Sequence, residues 1–137
     1  MIAIVDANIA LALMLDLAYS EKARTAVEAA SSMAAPSLIL AESANALWKI
    51  TAAEPSLTTR SRQIMTQLPL ILDSIEEDAT LAPHALMLAQ QLNHPAYDCF
   101  YLALAQIRSG TLITADRKLA AAARRMEKPP QLFLVEV

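Results

Sequence analysis

Two short stretches decide how this chain folds: Ile2-Ala3-Ile4-Val5-Asp6 at its start, and Thr111-Leu112-Ile113-Thr114-Ala115-Asp116 near its end. Each is a brief, largely apolar run closed by an aspartate. A run of that length, rich in β-branched residues, reads as a strand covered on both faces, the usual state of a strand inside a parallel sheet. Around these two runs lie longer stretches with helical character. Helices are expected over 8–17, from a Ser20 N-cap to about residue 31, and from Pro36-Ser37 through residue 52. Further helices are expected from Thr58 or Thr59 to near Pro69, then over 77–92, 96–108 and 117–126. Asn93-His94-Pro95 reads as a break, Ser109-Gly110 as a helix C-cap and Pro129-Pro130 as a turn. Further strands are expected at 70–72 and 132–135. Short apolar strands alternating with helices define an α/β fold with a parallel sheet. Neither a repeat nor a linker interrupts the chain, which is expected to be one domain over residues 1–137.

The composition narrows the class. At 137 residues the chain is long enough to bury its own core. Hydrophobic residues make up 55%, against about 45–50% in soluble domains. The surplus suits a helix-rich domain that also hides apolar surface against a partner. Leu11, Met14, Leu15 and Leu17 are the candidates for that surface, with about half of them expected to be ordinary core. A net charge of −3 gives no global basic field for nucleic acid. The single cysteine, Cys99, fits a reducing compartment and a packing role. The first residues lack a basic leader, and Asp16 ends an apolar stretch far shorter than the about 20 residues of a membrane span. The expectation is a cytoplasmic protein with no membrane association.

Among the 14 acids, Asp6, Glu42, Asp98 and Asp116 stand in apolar surroundings. An ionised carboxylate beside a core is costly unless it is paired, hydrogen-bonded or bound to a metal. Asp6 and Asp116 fall at strand ends, where open parallel sheets bind their ligands. Asp98 falls at the start of a helix after Pro95, and Glu42 on the second turn of another. Singly, each has an ordinary explanation as a helix cap, a first-turn acid or a surface residue. Together they point to one site. Crowded carboxylates repel one another and call for a cation. An all-oxygen donor set suits magnesium or manganese (Mg²⁺ or Mn²⁺) and disfavours zinc. Such a centre is suited to phosphodiester cleavage.

The residues that surround these acids resemble the PIN-domain ribonucleases, in particular the VapC-like toxins of VapBC-type toxin–antitoxin pairs. The matching segments are Ile4-Val5-Asp6-Ala7-Asn8, the run from Leu40 to Leu47 around Glu42, His94-Pro95-Ala96-Tyr97-Asp98-Cys99-Phe100-Tyr101-Leu102-Ala103-Leu104-Ala105, and Leu112-Ile113-Thr114-Ala115-Asp116-Arg117-Lys118-Leu119. The resemblance spans the chain. It implies a three-layer α/β/α fold with a central, mainly parallel sheet and with Asp6, Glu42, Asp98 and Asp116 as catalytic and metal-binding acids. It implies Mg²⁺- or Mn²⁺-dependent endoribonuclease activity, with Thr114, Asn8 and Asn45 supporting the site. Positions where some members carry a further acid hold Arg117 and Lys118 here, which leaves one metal or two open. A small antitoxin covering the site and a homodimer are implied as partners.

Lys49 shares a helix face with Glu42 and Asn45 and is a candidate for the RNA backbone, as are Arg117 and Lys118 beside Asp116. Arg124 and Arg125 are better suited to a solvated face. His84 and His94 are not expected in catalysis, and Trp48 and Tyr101 are expected to pack rather than to stack on bases. A receiver-type phospho-acceptor domain also gathers acids at strand ends, but it wants an acidic pair near the first strand and a lysine ending a later one. A haloacid-dehalogenase-like phosphatase wants an aspartate where Asn8 stands. A binding module without catalysis has no use for four intact acids.

Overall fold

The computed structural model describes residues 1–137. In chain order the elements are β1 (Ile2–Val5), α1 (Ala7–Met14), α2 (Ser20–Glu28), β2 (Ser32–Pro36) and α3 (Leu38–Ala53). A 3₁₀ turn (Pro55–Leu57) leads into α4 (Thr58–Ile71), followed by β3 (Ser74–Glu76), α5 (Asp78–Leu92) and α6 (Ala96–Arg108). The chain ends with β4 (Thr111–Thr114), α7 (Arg117–Arg124) and β5 (Gln131–Leu134). All five strands form one sheet in the order β3-β2-β1-β4-β5, and every pairing is parallel. The order reverses at β1, with β2 and β3 on one side and β4 and β5 on the other. The crevice beyond the C-terminal ends of β1 and β4 is therefore the topological switch point, where such sheets place their ligands.

Alternation along β1 builds the layers. Ile4 points into a core cluster of 17 buried residues contributed chiefly by α5, α6 and α7. Ala3 and Val5 point the other way, into a cluster of 14 that includes Ile9, Ala10, Ala23 and Leu68. The sheet is thus covered on both faces, which explains the continuous apolar runs of β1 and β4. A smaller cluster of Leu11, Leu15, Leu47 and Ile64 joins α1, α3 and α4.

Several sequence expectations change here. Ser32-Met33-Ala34-Ala35-Pro36 forms a strand although it has no β-branched residue; pairing with β1 and burial between helix layers make it one. No strand occupies 70–72. Helix α4 runs through Pro69 to Ile71, and the strand comes later, at Ser74–Glu76. Pro69 forfeits the hydrogen bond to Met65 O, and the helix ends two residues later at Ile71. Asp73 fixes the true start of β3: its carboxylate accepts from Met33 N at 2.7 Å, and its own N–H donates to Met33 O at 2.8 Å. Ser20 is not an N-cap. Its hydroxyl donates to Leu15 O and accepts from Leu17 N, closing the α1–α2 corner. At the end of α6, Ser109 takes the left-handed conformation with φ 49°, and Gly110 lets the chain pass Ile4, whose Cγ1 would lie 2.8 Å from an added Cβ.

The four apolar candidates on and after α1 divide as expected, two buried and two partly exposed. Leu11 and Leu15 are buried in the α1–α3–α4 cluster, with Met14 and Leu17 packed partly against it. Leu11→Ala should therefore cost about 2–5 kcal/mol in urea unfolding, as truncation of a buried leucine does. A loss below about 1 kcal/mol would place Leu11 at a surface instead. The exposed large apolar side chains lie elsewhere, notably Trp48, Leu70, Leu86, Tyr97 and Ile107. No helix is long and apolar enough to cross a membrane.

Candidate active site

The adjacent ends of β1 and β4 bring Asp6 and Asp116 together. Val5 pairs with Ile113, so Asp6 lies beside Thr114. The Thr114 hydroxyl donates to Asp6 Oδ2 and accepts from Asp116 N at 3.0 Å, tying the two strand ends through one buried side chain. Each aspartate is also a helix N-cap. Asp6 Oδ1 accepts from Ile9 N at 2.9 Å, and Asp116 Oδ1 accepts from Lys118 N at 2.8 Å and Leu119 N at 3.2 Å. The capping and cluster readings of these acids are therefore compatible, because a cap occupies one carboxylate oxygen and leaves Asp116 Oδ2 for the cleft.

Helices α3 and α6 supply the other two. Glu42 is half-buried on α3, and its Oε1 accepts from the Tyr101 hydroxyl at 2.6 Å. Asp98 lies in the first turn of α6, with its Oδ2 2.7 Å from His94 Nε2. All four acids line one narrow cleft of about 70 Å³, together with Ala7, Asn8, Tyr101 and Leu119. No basic side chain lines it. His94 alone among the basic side chains pairs with one of the four acids, at Asp98, and the ionisation of Asp6 registers its burial beside the others. Its carboxyl is pushed from 3.8 up to about 6, first by burial and then by the charges of Asp116 and Glu42, against the hydrogen bonds from Thr114 and Ile9. Glu42 is raised by burial and by Asp98 and Asp78, against its hydrogen bond from Tyr101.

No three of the acidic, histidine or cysteine side chains already stand in an arrangement that holds a metal ion. The donor chemistry nonetheless fits a hard divalent cation. Mg²⁺ keeps several waters and needs only one or two carboxylates directly. At about 10–15 Å³ of cleft volume per water, the cleft has room for an ion with several waters.

A wider groove of about 420 Å³ continues from the cleft along α3, lined by Asn8, Glu42, Asn45 and Lys49 among others. The structure thus joins Asn8, Asn45 and Lys49 to the acids, as the helical spacing suggests. Arg117 and Lys118 do not line the cleft; Arg117 reaches Glu136 at 3.4 Å. Arg125 donates to Leu92 O at 2.9 Å. His84 meets Gln106, away from the acids. Trp48 does not pack as expected: it is 65% exposed beside a groove between α3 and α4. Tyr101 is core, as expected, but its hydroxyl enters the site, which the sequence reading missed. The signal was its place three residues after Asp98, one helical turn along the same face. The Cys99 thiol is buried and pushed up to about 11 by burial, which suits a packing role.

A parallel sheet with carboxylates gathered past its switch point defines an α/β protein built around an acidic centre. The family is specific: the PIN domain model matches residues 3–125, and the chain belongs to the PIN domain family, whose members are nucleases. No curated protein matches the chain. Solved structures share its fold, among them the following two. PAE2754 from Pyrobaculum aerophilum is 23% identical, with a TM-score of 0.68 over 88% of this chain and 83% of that one. VapBC2 from Rickettsia felis, bound to a DNA fragment from their promoter, is 16% identical, with a TM-score of 0.62 over 98% of each chain.

Proposed function

We propose that this protein is a metal-dependent endoribonuclease acting in the cytoplasm as the toxin of a type II toxin–antitoxin pair. The observation that supports this reading best is the cleft in which Asp6, Glu42, Asp98 and Asp116 meet, lined by no lysine or arginine and with only His94 paired to one of them, at Asp98. A divalent ion, Mg²⁺ or Mn²⁺, supplies water activation and charge neutralisation when bound there. The chain's own residues do the rest. Asp6 is held through both carboxylate oxygens, by Ile9 N and Thr114, and Asp116 through Oδ1, so the two carboxylates need little reorganisation. Glu42 and Asp98 close the cleft from two helices. Asn8, Asn45 and Lys49 line the groove that leads into it, where Lys49 is placed to meet backbone phosphates. Bare carboxylates repel a phosphate, so the cation serves substrate binding as well as chemistry.

The toxin role draws support from the resemblance of the acid-bearing segments to VapC-like toxins and from a fold shared over its whole length with VapBC2 of Rickettsia felis. The groove between α3 and α4, with exposed Trp48 at its edge, suits a short apolar segment of a small antitoxin. Other exposed apolar residues, such as Leu86 and Ile107, suit a homodimer.

Co-expression with the product of the neighbouring small gene tests the pairing. The two are expected to co-purify, and single-stranded RNA cleavage by the complex should fall at least tenfold below that of the free chain. Cleavage by the free chain with no inhibiting neighbour would make it a free-standing PIN-type nuclease. Absence of RNA cleavage in Mg²⁺ and in Mn²⁺ would overturn the ribonuclease reading.

A further inference from the structure

We propose that Tyr101 is a positioning residue: its buried hydroxyl, fixed in the core by α6, sets the Glu42 carboxylate of α3 against the cation-binding cleft. The proposal rests on the nuclease reading above and adds a residue to it. Tyr101 is 2% exposed and belongs to the larger core cluster, so its ring cannot follow a moving partner. Its hydroxyl lies 2.6 Å from Glu42 Oε1. Glu42 itself is only half-buried and stands on a helix whose neighbouring positions, Ala41 and Ala44, are exposed. Left alone, such a long side chain samples many rotamers. Gripping one oxygen leaves Oε2 directed by the anchored one.

Helix α6 thereby acts on two of the four acids, one of its own and one on α3. It carries Asp98 in its first turn and, one turn on, the hydroxyl that places Glu42. The hydroxyl acts as a donor throughout, because burial and the Glu42 charge push it above the ordinary tyrosine range. A purely structural role is the alternative, since a buried hydroxyl needs an acceptor in any case. The two roles differ in what they move. A structural hydroxyl sets stability, whereas a positioning hydroxyl sets the affinity of the site for its ion.

Tyr101→Phe removes the hydroxyl and keeps the ring. Mn²⁺ binding is read by electron paramagnetic resonance, folding by circular dichroism, and kcat and KM on a short RNA. Mn²⁺ binding is expected to weaken about tenfold, as on removal of a group that orients a ligand. The kcat should fall while KM holds and the melting temperature stays within a few degrees. In a Glu42→Gln background, Tyr101→Phe should add almost nothing to either effect, because it acts through Glu42. Wild-type Mn²⁺ affinity in Tyr101→Phe, failure of that variant to fold, or full additivity with Glu42→Gln would each overturn the proposal. A wild-type chain that neither binds Mn²⁺ nor cleaves RNA would instead overturn the nuclease reading beneath it.

Discussion

Replacing Asp6 by asparagine is expected to reduce RNA cleavage about a thousandfold while making the metal-free protein more stable at neutral pH. The first effect follows from the charge. Stabilisation by a bound cation supplies several kcal/mol in such reactions, and each 1.36 kcal/mol is tenfold in rate. An amide keeps the shape of the carboxylate but gives the ion no charge to bind. The second effect follows from burial. The Asp6 carboxyl is held at about 6 against 3.8 for the free group, so the folded chain keeps a proton that the unfolded chain releases between those values. The contribution of Asp6 to stability is therefore most favourable below about pH 4, falls as pH rises to about 6, and is constant above that. The difference corresponds to about 3 kcal/mol of destabilisation at pH 7, taken at 1.36 kcal/mol per pH unit.

Asparagine never ionises here, and its Oδ1 can still accept from Ile9 N. Asp6→Asn should recover about 1–3 kcal/mol at pH 7 in EDTA, and stability should no longer decline between pH 4 and 6 on account of this residue. Urea titrations at pH 5 and 7.5 measure the second effect, and a fluorogenic RNA assay the first. A variant that cleaves at a tenth of the wild-type rate or better would remove Asp6 from the centre. Asp98→Asn and Asp116→Asn should lose cleavage similarly. The stability gain is expected for Asp6, whose burial raises its carboxyl.

The four acids were legible because their neighbours made them improbable. A carboxylate after Val5 or after Ala115 contradicts an apolar run, and contradictions of that kind gather at functional sites. The parallel sheet was legible for the same reason: β1 and β4 show continuous apolar runs bounded by polar residues. Strand β2 was not. Ser32-Met33-Ala34-Ala35-Pro36 has the small residues of a helix or a loop, and only its place beside β1 makes it a strand. The expected strand at 70–72 failed because Pro69 was read as a stop, whereas the helix runs two residues past it to Ile71. Which of Leu11, Met14, Leu15 and Leu17 are core was not legible, because the α1–α3–α4 contact is made between segments distant in sequence. Tyr101 was hidden by its own chemistry. A tyrosine among apolar helix positions reads as core, which it is, and nothing along the chain reveals that its hydroxyl meets Glu42 from another helix. Arg117 and Lys118 adjoin Asp116 in sequence, yet they are exposed on α7 and do not line the cleft.

The second large effect is a reversal of rank between wild type and Asp6→Asn when metal is added. In EDTA the variant should melt higher, for the reason given above. Mn²⁺ binds the folded chain through carboxylates that the unfolded chain does not gather, so it stabilises by mass action. At a hundredfold excess over its dissociation constant the gain is about 2.7 kcal/mol. For a chain of this size that is roughly 10 °C in melting temperature. Wild type should gain this in full at pH 7.5, where Asp6 is ionised, and Asp6→Asn should gain little. At a thousandfold excess, where the gain is about 4.1 kcal/mol, the order of the two melting curves should therefore invert. The gain in wild type should shrink as pH falls below about 6, because protons compete with the metal at Asp6. Cleavage should follow the same titration, absent in EDTA and restored by Mg²⁺ or Mn²⁺. Ca²⁺, which coordinates more loosely and at greater distance, should raise the melting temperature while supporting little cleavage. Melting curves at two pH values, with EDTA, Mn²⁺ or Ca²⁺, suffice to test the set. If Mn²⁺ shifts wild type and Asp6→Asn equally, the ion binds away from the cleft. Cleavage that persists in EDTA with metal-free protein would leave the four acids without their proposed role.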